Sequence, residues 1–280
     1  MSEKTKKQIN GNAPIGVFDS GVGGLTVVRE IVRQLPGENI VYFGDTARVP
    51  YGSKSPSTVI HFSKQIARFL QSQNVKAIVI ACNTASALAL EELQRDFDLP
   101  IIGVVVPGAR AAVETTKMGK VGIVGTDATI RSGVYTNIIS GMNSNIEVFE
   151  KACPLFVPLV EEGFRDHSVT REIIDYYLQE VKESDIDTMI LGCTHYPLLR
   201  SRIMEYLGDD IQIVNPAYET TMDLKKILID NDIENQMPST DGANYNFYVS
   251  DSDTGRFRQF AQSLLSTDEI DAKAINIEEY

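Results

Sequence analysis

Val75-Lys76-Ala77-Ile78-Val79-Ile80-Ala81-Cys82-Asn83-Thr84 is the stretch that decides the fold, because the chain carries it twice. Its counterpart is Ile186-Asp187-Thr188-Met189-Ile190-Leu191-Gly192-Cys193-Thr194-His195. Each copy is an apolar run that ends in a cysteine and then turns polar. That is the pattern of a strand buried on both faces and handing over to a loop and helix. A weaker pair, Ile15-Gly16-Val17-Phe18-Asp19-Ser20 and Val121-Gly122-Ile123-Val124-Gly125-Thr126, repeats at a spacing of 106 residues, against 111 for the first. Two echoes in the same order and at similar spacing imply a duplicated α/β unit.

Working outward, short β-type runs alternate with amphipathic stretches from Ile15 onward, the signature of βαβ units around a parallel sheet. Strands are expected at Ile15–Phe18, Ile40–Phe43, Ala77–Ala81, Ile101–Val105, Val121–Gly125, Ile146–Glu150, Thr188–Gly192 and Ile211–Val214. Helices are expected at Leu25–Leu35, Thr58–Gln71, Ala85–Phe97, Ala109–Thr116, Val169–Lys182, Leu198–Leu207 and Thr220–Ile233. The expected fold class is α/β, as two similar domains with mainly parallel sheets flanked by helices and related by a pseudo-twofold axis. A chain of 280 residues is long enough for two such units. Residues 1–13 are polar and are expected to form a loose tail, and the residues after about 235 carry no readable motif.

In open α/β sheets ligands bind beyond the carboxyl ends of the strands. Cys82 and Cys193 both sit at such ends, so two facing domains would bring them to opposite walls of one interdomain cleft. A helix amino end follows each cysteine, with Asn83 or Thr84 to cap the first and Pro197 suited to the first turn of the second. Helix N-termini favour negative charge, so both thiols are expected to have lowered pKa values in matched environments. Inverting a stereocentre needs one group to remove a proton from one face and another to deliver a proton to the opposite face. Two thiols related by symmetry satisfy that need. Cys153, in Ala152-Cys153-Pro154-Leu155-Phe156, has no echo and reads as a small buried hydrophobe.

Asp19-Ser20-Gly21-Val22-Gly23-Gly24 follows the first strand where a phosphate loop would lie, yet it is neither GxGxxG nor a P-loop. Its glycines instead suggest close backbone approach to a small substrate, with Ser20 as a donor and Asp19 acting on a polar group. The loop Gly44–Gly52 belongs to the same rim. Tyr51 and Gly52 could offer amides to a carboxylate there, and Arg48 reads as a solvated charge. Donors at Asn83, Thr84 and Thr194 could stabilise carbanion-like charge at an α-carboxylate, and His195 could bond the Cys193 region or a substrate amine.

The formal charge of −12 argues against nucleic-acid and anionic-membrane partners. No apolar run approaches the roughly 20 residues of a membrane span, and Met1 to Asn10 has no signal-peptide centre, so a cytoplasmic protein is expected. Three cysteines without CxxC spacing, and histidines at 61, 167 and 195 without an HxxxH pair, offer no metal site.

Phe18 to Leu25, Tyr42-Phe43-Gly44-Asp45, Pro50-Tyr51-Gly52, Ala81 to Ala85 and Gly192 to Pro197 together resemble the motifs of the glutamate racemases, in the aspartate/glutamate racemase family. The resemblance runs from about Ile15 to Ile229, with no departure at a motif position. It implies that Cys82 and Cys193 are the proton donor/acceptor pair, and that Asp19, Ser20, Tyr51, Gly52, Asn83, Thr84, Thr194 and His195 bind substrate. Pro158-Leu159-Val160-Glu161-Glu162-Gly163 also matches, which implies a catalytic or substrate-handling role for Glu161. It further implies no cofactor, a homodimer, D-glutamate for peptidoglycan, and a last segment packed back on the first domain. The domains are then 14–105 plus 216–280, and 106–215.

Paired thiols specify the reaction better than the side chain acted on, so a racemase for aspartate or another small amino acid is an alternative. A non-catalytic amino-acid-binding module is another. A redox pair closing a Cys82–Cys193 disulfide is disfavoured by the missing CxxC and by cytosolic reduction.

Overall fold

The computed structural model describes residues 10–235, 242–266 and 270–280. The first half runs β1 (Ile15–Asp19), α1 (Leu25–Gln34), β2 (Ile40–Gly44), α2 (Pro56–Ser72), β3 (Ala77–Ile80), α3 (Asn83–Asp96) and β4 (Ile101–Gly103). There follow α4 (Val105–Thr115), β5 (Lys120–Gly125), α5 (Asp127–Arg131), α6 (Val134–Met142), β6 (Glu147–Ala152), α7 (Phe156–Glu161), α8 (Ser168–Glu183), β7 (Thr188–Gly192), α9 (Arg200–Leu207) and β8 (Gln212–Val214). The chain ends with α10 (Pro216–Asp230), β9 (Tyr245–Val249), α11 (Gly255–Leu265) and β10 (Ala272–Ala274).

The strands form two wholly parallel sheets, ordered β10-β9-β2-β1-β3-β4 and β6-β5-β7-β8. The order β2-β1-β3-β4 matches the order β6-β5-β7-β8, with the echoed strands β1 and β5, and β3 and β7, at equivalent places. Register agrees as well: β1 sets Ile15 beside Ala77, and β5 sets Val121 beside Thr188, the same pairing in both copies.

Alternation along each echoed strand explains why it is apolar throughout. Ala77, Val79 and Ala81 enter the core on one face of the first sheet, and Ile78, Ile80 and Cys82 enter the core on the other. In β7, Met189, Leu191 and Cys193 share one core while Ile190 faces the next. Both cysteines therefore emerge on corresponding faces, because a strand repeats every two residues.

Two expectations need correcting. The run Ile101–Val105 is a strand only to Gly103, and Val105 already opens α4. Pro107 suits that first turn, and Val105 is buried on a helix. Residues 10–13 are not loose, since Lys76 Nζ donates to Gly11 O at 2.6 Å and Asn39 Nδ2 to Asn12 O at 3.0 Å. Residues 1–9 of the expected tail lie outside the described residues. The segment after 235, unread in the sequence, supplies β9 beside β2, α11 over one face and β10 at the edge.

Helix α10 joins the halves. Its Ala217, Leu224 and Leu228 pack with α1 under the first sheet, while Arg110 of α4 forks onto Asp223 at 2.9 and 2.8 Å. Among the described residues no helix is long and apolar enough to cross a membrane.

Candidate active site

Since all strands of each sheet are parallel, their carboxyl ends lie along one edge. Those edges of the two sheets meet at a cavity of about 330 Å³. Ser20, Tyr51, Gly52, Cys82, Asn83 and Thr84 line it from the first half, and Glu161, Cys193, Thr194 and His195 from the second. Every candidate residue named from the sequence is thus at this cavity except Asp19, which is fully buried behind it.

Cys82 is itself the N-cap of α3, its Sγ accepting from Ala85 N at 3.5 Å. Neither Asn83 nor Thr84 caps that helix; both already lie in its first turn. The Cys82 thiol also donates to Ser20 Oγ at 3.7 Å. The expected lowering of its pKa is overturned. Burial, with the carboxylate of Asp19 nearby, pushes the thiol up to about 12, outweighing the Ala85 N–H and Ser20.

Cys193 has a different setting, so the two environments do not match. Its Sγ lies 3.9 Å from His195 Nδ1, and His195 Nε2 lies 2.9 Å from Glu161 Oε1 at the end of α7. Burial works against charge on the imidazole, yet the bonds to Cys193 and Glu161 outweigh it and raise the ring to about 10. Helix start also differs: a 3-10 turn at Tyr196–Leu199 precedes α9.

Asp19 works between the halves. Its carboxylate accepts from Gly21 N at 3.0 Å and from Thr194 Oγ1 at 3.3 Å. Burial pushes this carboxyl up, against the opposing pull of His195 and these hydrogen bonds. One of the glycines after it serves a contact different from the expected one. A Cβ on Gly23 would meet Thr194 Oγ1 at 2.3 Å and His195 Nδ1 at 2.5 Å, so this glycine admits the opposite loop rather than a ligand. Gly52 does the same on the other rim, where a Cβ would meet Thr126 Cβ at 2.7 Å.

Arg48 is not a solvated charge. Its Nε donates to both oxygens of the buried Asp45, at 3.0 and 2.9 Å, and its Nη1 to Gln65 Oε1 at 2.6 Å and Glu278 Oε1 at 3.0 Å. Tyr51 donates its hydroxyl to the same Asp45. Cys153 is fully buried in the core of the second half, away from the cavity lining.

Thr126, Asp127, Pro154 and Val157 also line the cavity and were not singled out in the sequence. One signal could have found Thr126: the 106-residue echo maps Ser20 onto it. Its hydroxyl bonds Thr84 at 3.0 Å and Thr129 at 3.0 Å, closing a hydroxyl cluster across the halves. Among the described residues no group of three His, Cys, Asp or Glu could hold a metal ion.

Two acid/base-capable sulfurs from different sheets, opening on one small cavity ringed by amide and hydroxyl donors, can exchange protons with opposite faces of a bound carbon acid. Known proteins resemble this chain over most of its length. The profile of the Asp/Glu/Hydantoin racemase family matches residues 15–221. A glutamate racemase of Geobacter metallireducens is 48% identical over 244 residues, covering 87% of this chain and 90% of its own. The crystal structure of a glutamate racemase from Bacillus anthracis superposes with a TM-score of 0.89 at 40% identity, covering 95% of this chain and 98% of that one. That of the Francisella tularensis glutamate racemase in complex with D-glutamate has a TM-score of 0.89 at 39% identity, covering 96% and 100%.

Proposed function

Because the chain belongs to the Asp/Glu/Hydantoin racemase family, we propose that this cleft interconverts L- and D-glutamate, with Cys82 and Cys193 on opposite faces of the substrate α-carbon. The observation that carries the reading is the placement of both sulfurs, each 5–6% exposed, at corresponding strand ends of two sheets that share one cavity.

In this reading two units, 14–105 with 216–280 and 106–215, each contribute one thiol. One sulfur, as thiolate, takes the α-proton. The electron pair of the broken C–H bond is held as a carbanion-like charge beside the α-carboxylate, and the opposite thiol delivers its own proton to the other face. The sulfurs thereby exchange protonation states, so the reaction runs in either direction. Asn83, Thr84 and Thr194 are the donors for the α-carboxylate, with Ser20 and the Tyr51–Gly52 backbone completing the grip. His195, oriented by Glu161, serves as the charge and proton partner of Cys193, and Asp19 biases Cys82 toward the thiol. The reading uses no cofactor. Kinship supports its wider setting: a cytoplasmic homodimer supplying D-glutamate for peptidoglycan and so for cell-wall biogenesis.

The test is L-glutamate in deuterated water with reduced protein and nothing added. Alpha-deuterium should appear and optical rotation should vanish; no exchange by folded, reduced protein sinks the reading. Cys82→Ala and Cys193→Ala should each abolish racemisation, because inversion needs both faces. Running aspartate and alanine alongside decides the side chain acted on.

A further inference from the structure

We infer that Tyr135 is a positioning residue for this reaction, holding the side-chain amide of Asn83 so that its NH2 group faces the cleft. The inference rests on the racemase reading above and deepens it.

Tyr135 lies on α6, in the half that carries Cys193, and is buried. Its hydroxyl crosses to the other half and donates to Asn83 Oδ1 at 2.6 Å. Asn83 is the residue after Cys82, in the first turn of α3. The ring of the same tyrosine lies against the strand that delivers the other thiol. A Cβ on Gly192, the residue before Cys193, would stand 3.4 Å from Tyr135 Cε2. One side chain therefore touches the neighbour of each sulfur, and it bonds only to one of them.

An amide presents an acceptor on one side and two donors on the other, so fixing one side aims the other. Burial pushes the Tyr135 phenol well above its ordinary value, so it stays a donor at any working pH. With Oδ1 occupied, Nδ2 is left without a protein partner among the described residues, on a residue that lines the cavity. That is the orientation a substrate carboxylate needs. Were the amide to turn over, its oxygen would face the carboxylate and repel it. The sequence offers no hint of this, since Tyr135 belongs to neither echo and lies 52 residues from its partner.

Tyr135→Phe keeps the ring against Gly192 and removes only the hydroxyl. In this variant KM for glutamate should rise about tenfold while kcat stays within about twofold, as expected when one neutral hydrogen bond supporting ground-state and transition-state binding alike is lost. The same change made on an Asn83→Ala background should add nothing further, because its effect runs through Asn83. Asn83→Asp gives a second reading if Tyr135→Phe folds poorly. It still accepts from Tyr135 but offers no N–H to the cleft, so it should fold like the parent and raise KM at least as much.

Wild-type kinetic constants in Tyr135→Phe, an undiminished effect on the Asn83→Ala background, or a normal KM in Asn83→Asp would each overturn the inference while leaving the racemase reading intact. Failure of the parent protein to exchange the glutamate α-proton would instead remove the reading on which it stands.

Discussion

His195 Nε2 lies 2.9 Å from Glu161 Oε1, and the same ring turns its Nδ1 toward Cys193 Sγ at 3.9 Å. A buried imidazole with a carboxylate behind it and a sulfur before it keeps its proton through neutral pH. Among the described residues Cys82 has no such partner; it has Ser20, the Ala85 N–H and the field of Asp19.

His195 is raised from 6.5 to about 10, so the folded state binds its proton more tightly than the unfolded chain does. The resulting stability is fully present below about pH 6.5 and is lost as pH rises through about 10. Glu161→Gln removes one of the two groups that hold the proton. The ring's titration, followed by NMR, should move down toward the ordinary range, and the alkaline limb of kcat/KM should move with it. An unmoved titration would show that Glu161 does not govern His195.

Iodoacetamide at pH 8 should label Cys193 before Cys82, because burial and Asp19 hold Cys82 protonated up to about 12. Asp19→Asn withdraws the second of those causes and should speed labelling of Cys82 selectively. Peptide mapping by mass spectrometry reads both rates, and equal labelling in the parent protein would contradict the asymmetry.

Gly23→Ala should cost about 1–3 kcal/mol of stability, since its Cβ has no room beside Thr194 and His195. More telling is activity: His195 must move off Cys193, so kcat should fall well beyond what the remaining folded fraction explains. Urea titration alongside turnover separates the two.

Arg48→Met leaves Asp45 fully buried without its cation, and breaking such a pair costs about 3–5 kcal/mol. Denaturant unfolding should show the loss. KM should rise too, because Asp45 also holds the Tyr51 hydroxyl and accepts from Ser250 Oγ at 2.8 Å, fixing the cleft rim.

Cys153→Ala should lower stability by about 1 kcal/mol, an ordinary cost for trimming a core side chain, and leave kcat/KM unchanged within about twofold. A large loss of turnover would give the third thiol a part in the chemistry.

Much of this was legible without coordinates. Strands buried on both faces announce themselves as continuous apolar runs, and the duplication placed Cys82 and Cys193 at equivalent ends of β3 and β7. Other parts were not legible. The strands β9 and β10 are short, and only Phe247, Val249 and Ala272 of them are buried, so they lack the apolar run that marks the central strands. The start of the helix at Val105 resembles a strand in the sequence because a short apolar run looks the same on either element, and Pro107 is the local sign against it. Thr126 was hidden because a single hydroxyl after a strand has no signature beyond its echo.

By itself the sequence determined which side chains stand at the strand ends, since alternation and parallel pairing depend on neighbours along the chain and on a repeated register. Only the tertiary structure decided how those side chains behave. A helix N-terminus argues for a lowered thiol at Cys82, and burial reverses it, because desolvation depends on everything packed around the sulfur rather than on the residues beside it. Likewise the Tyr135–Asn83 bond, the Gly23–His195 contact and the Glu161–His195 pair join residues far apart in the chain, and they exist only because two halves fold against each other.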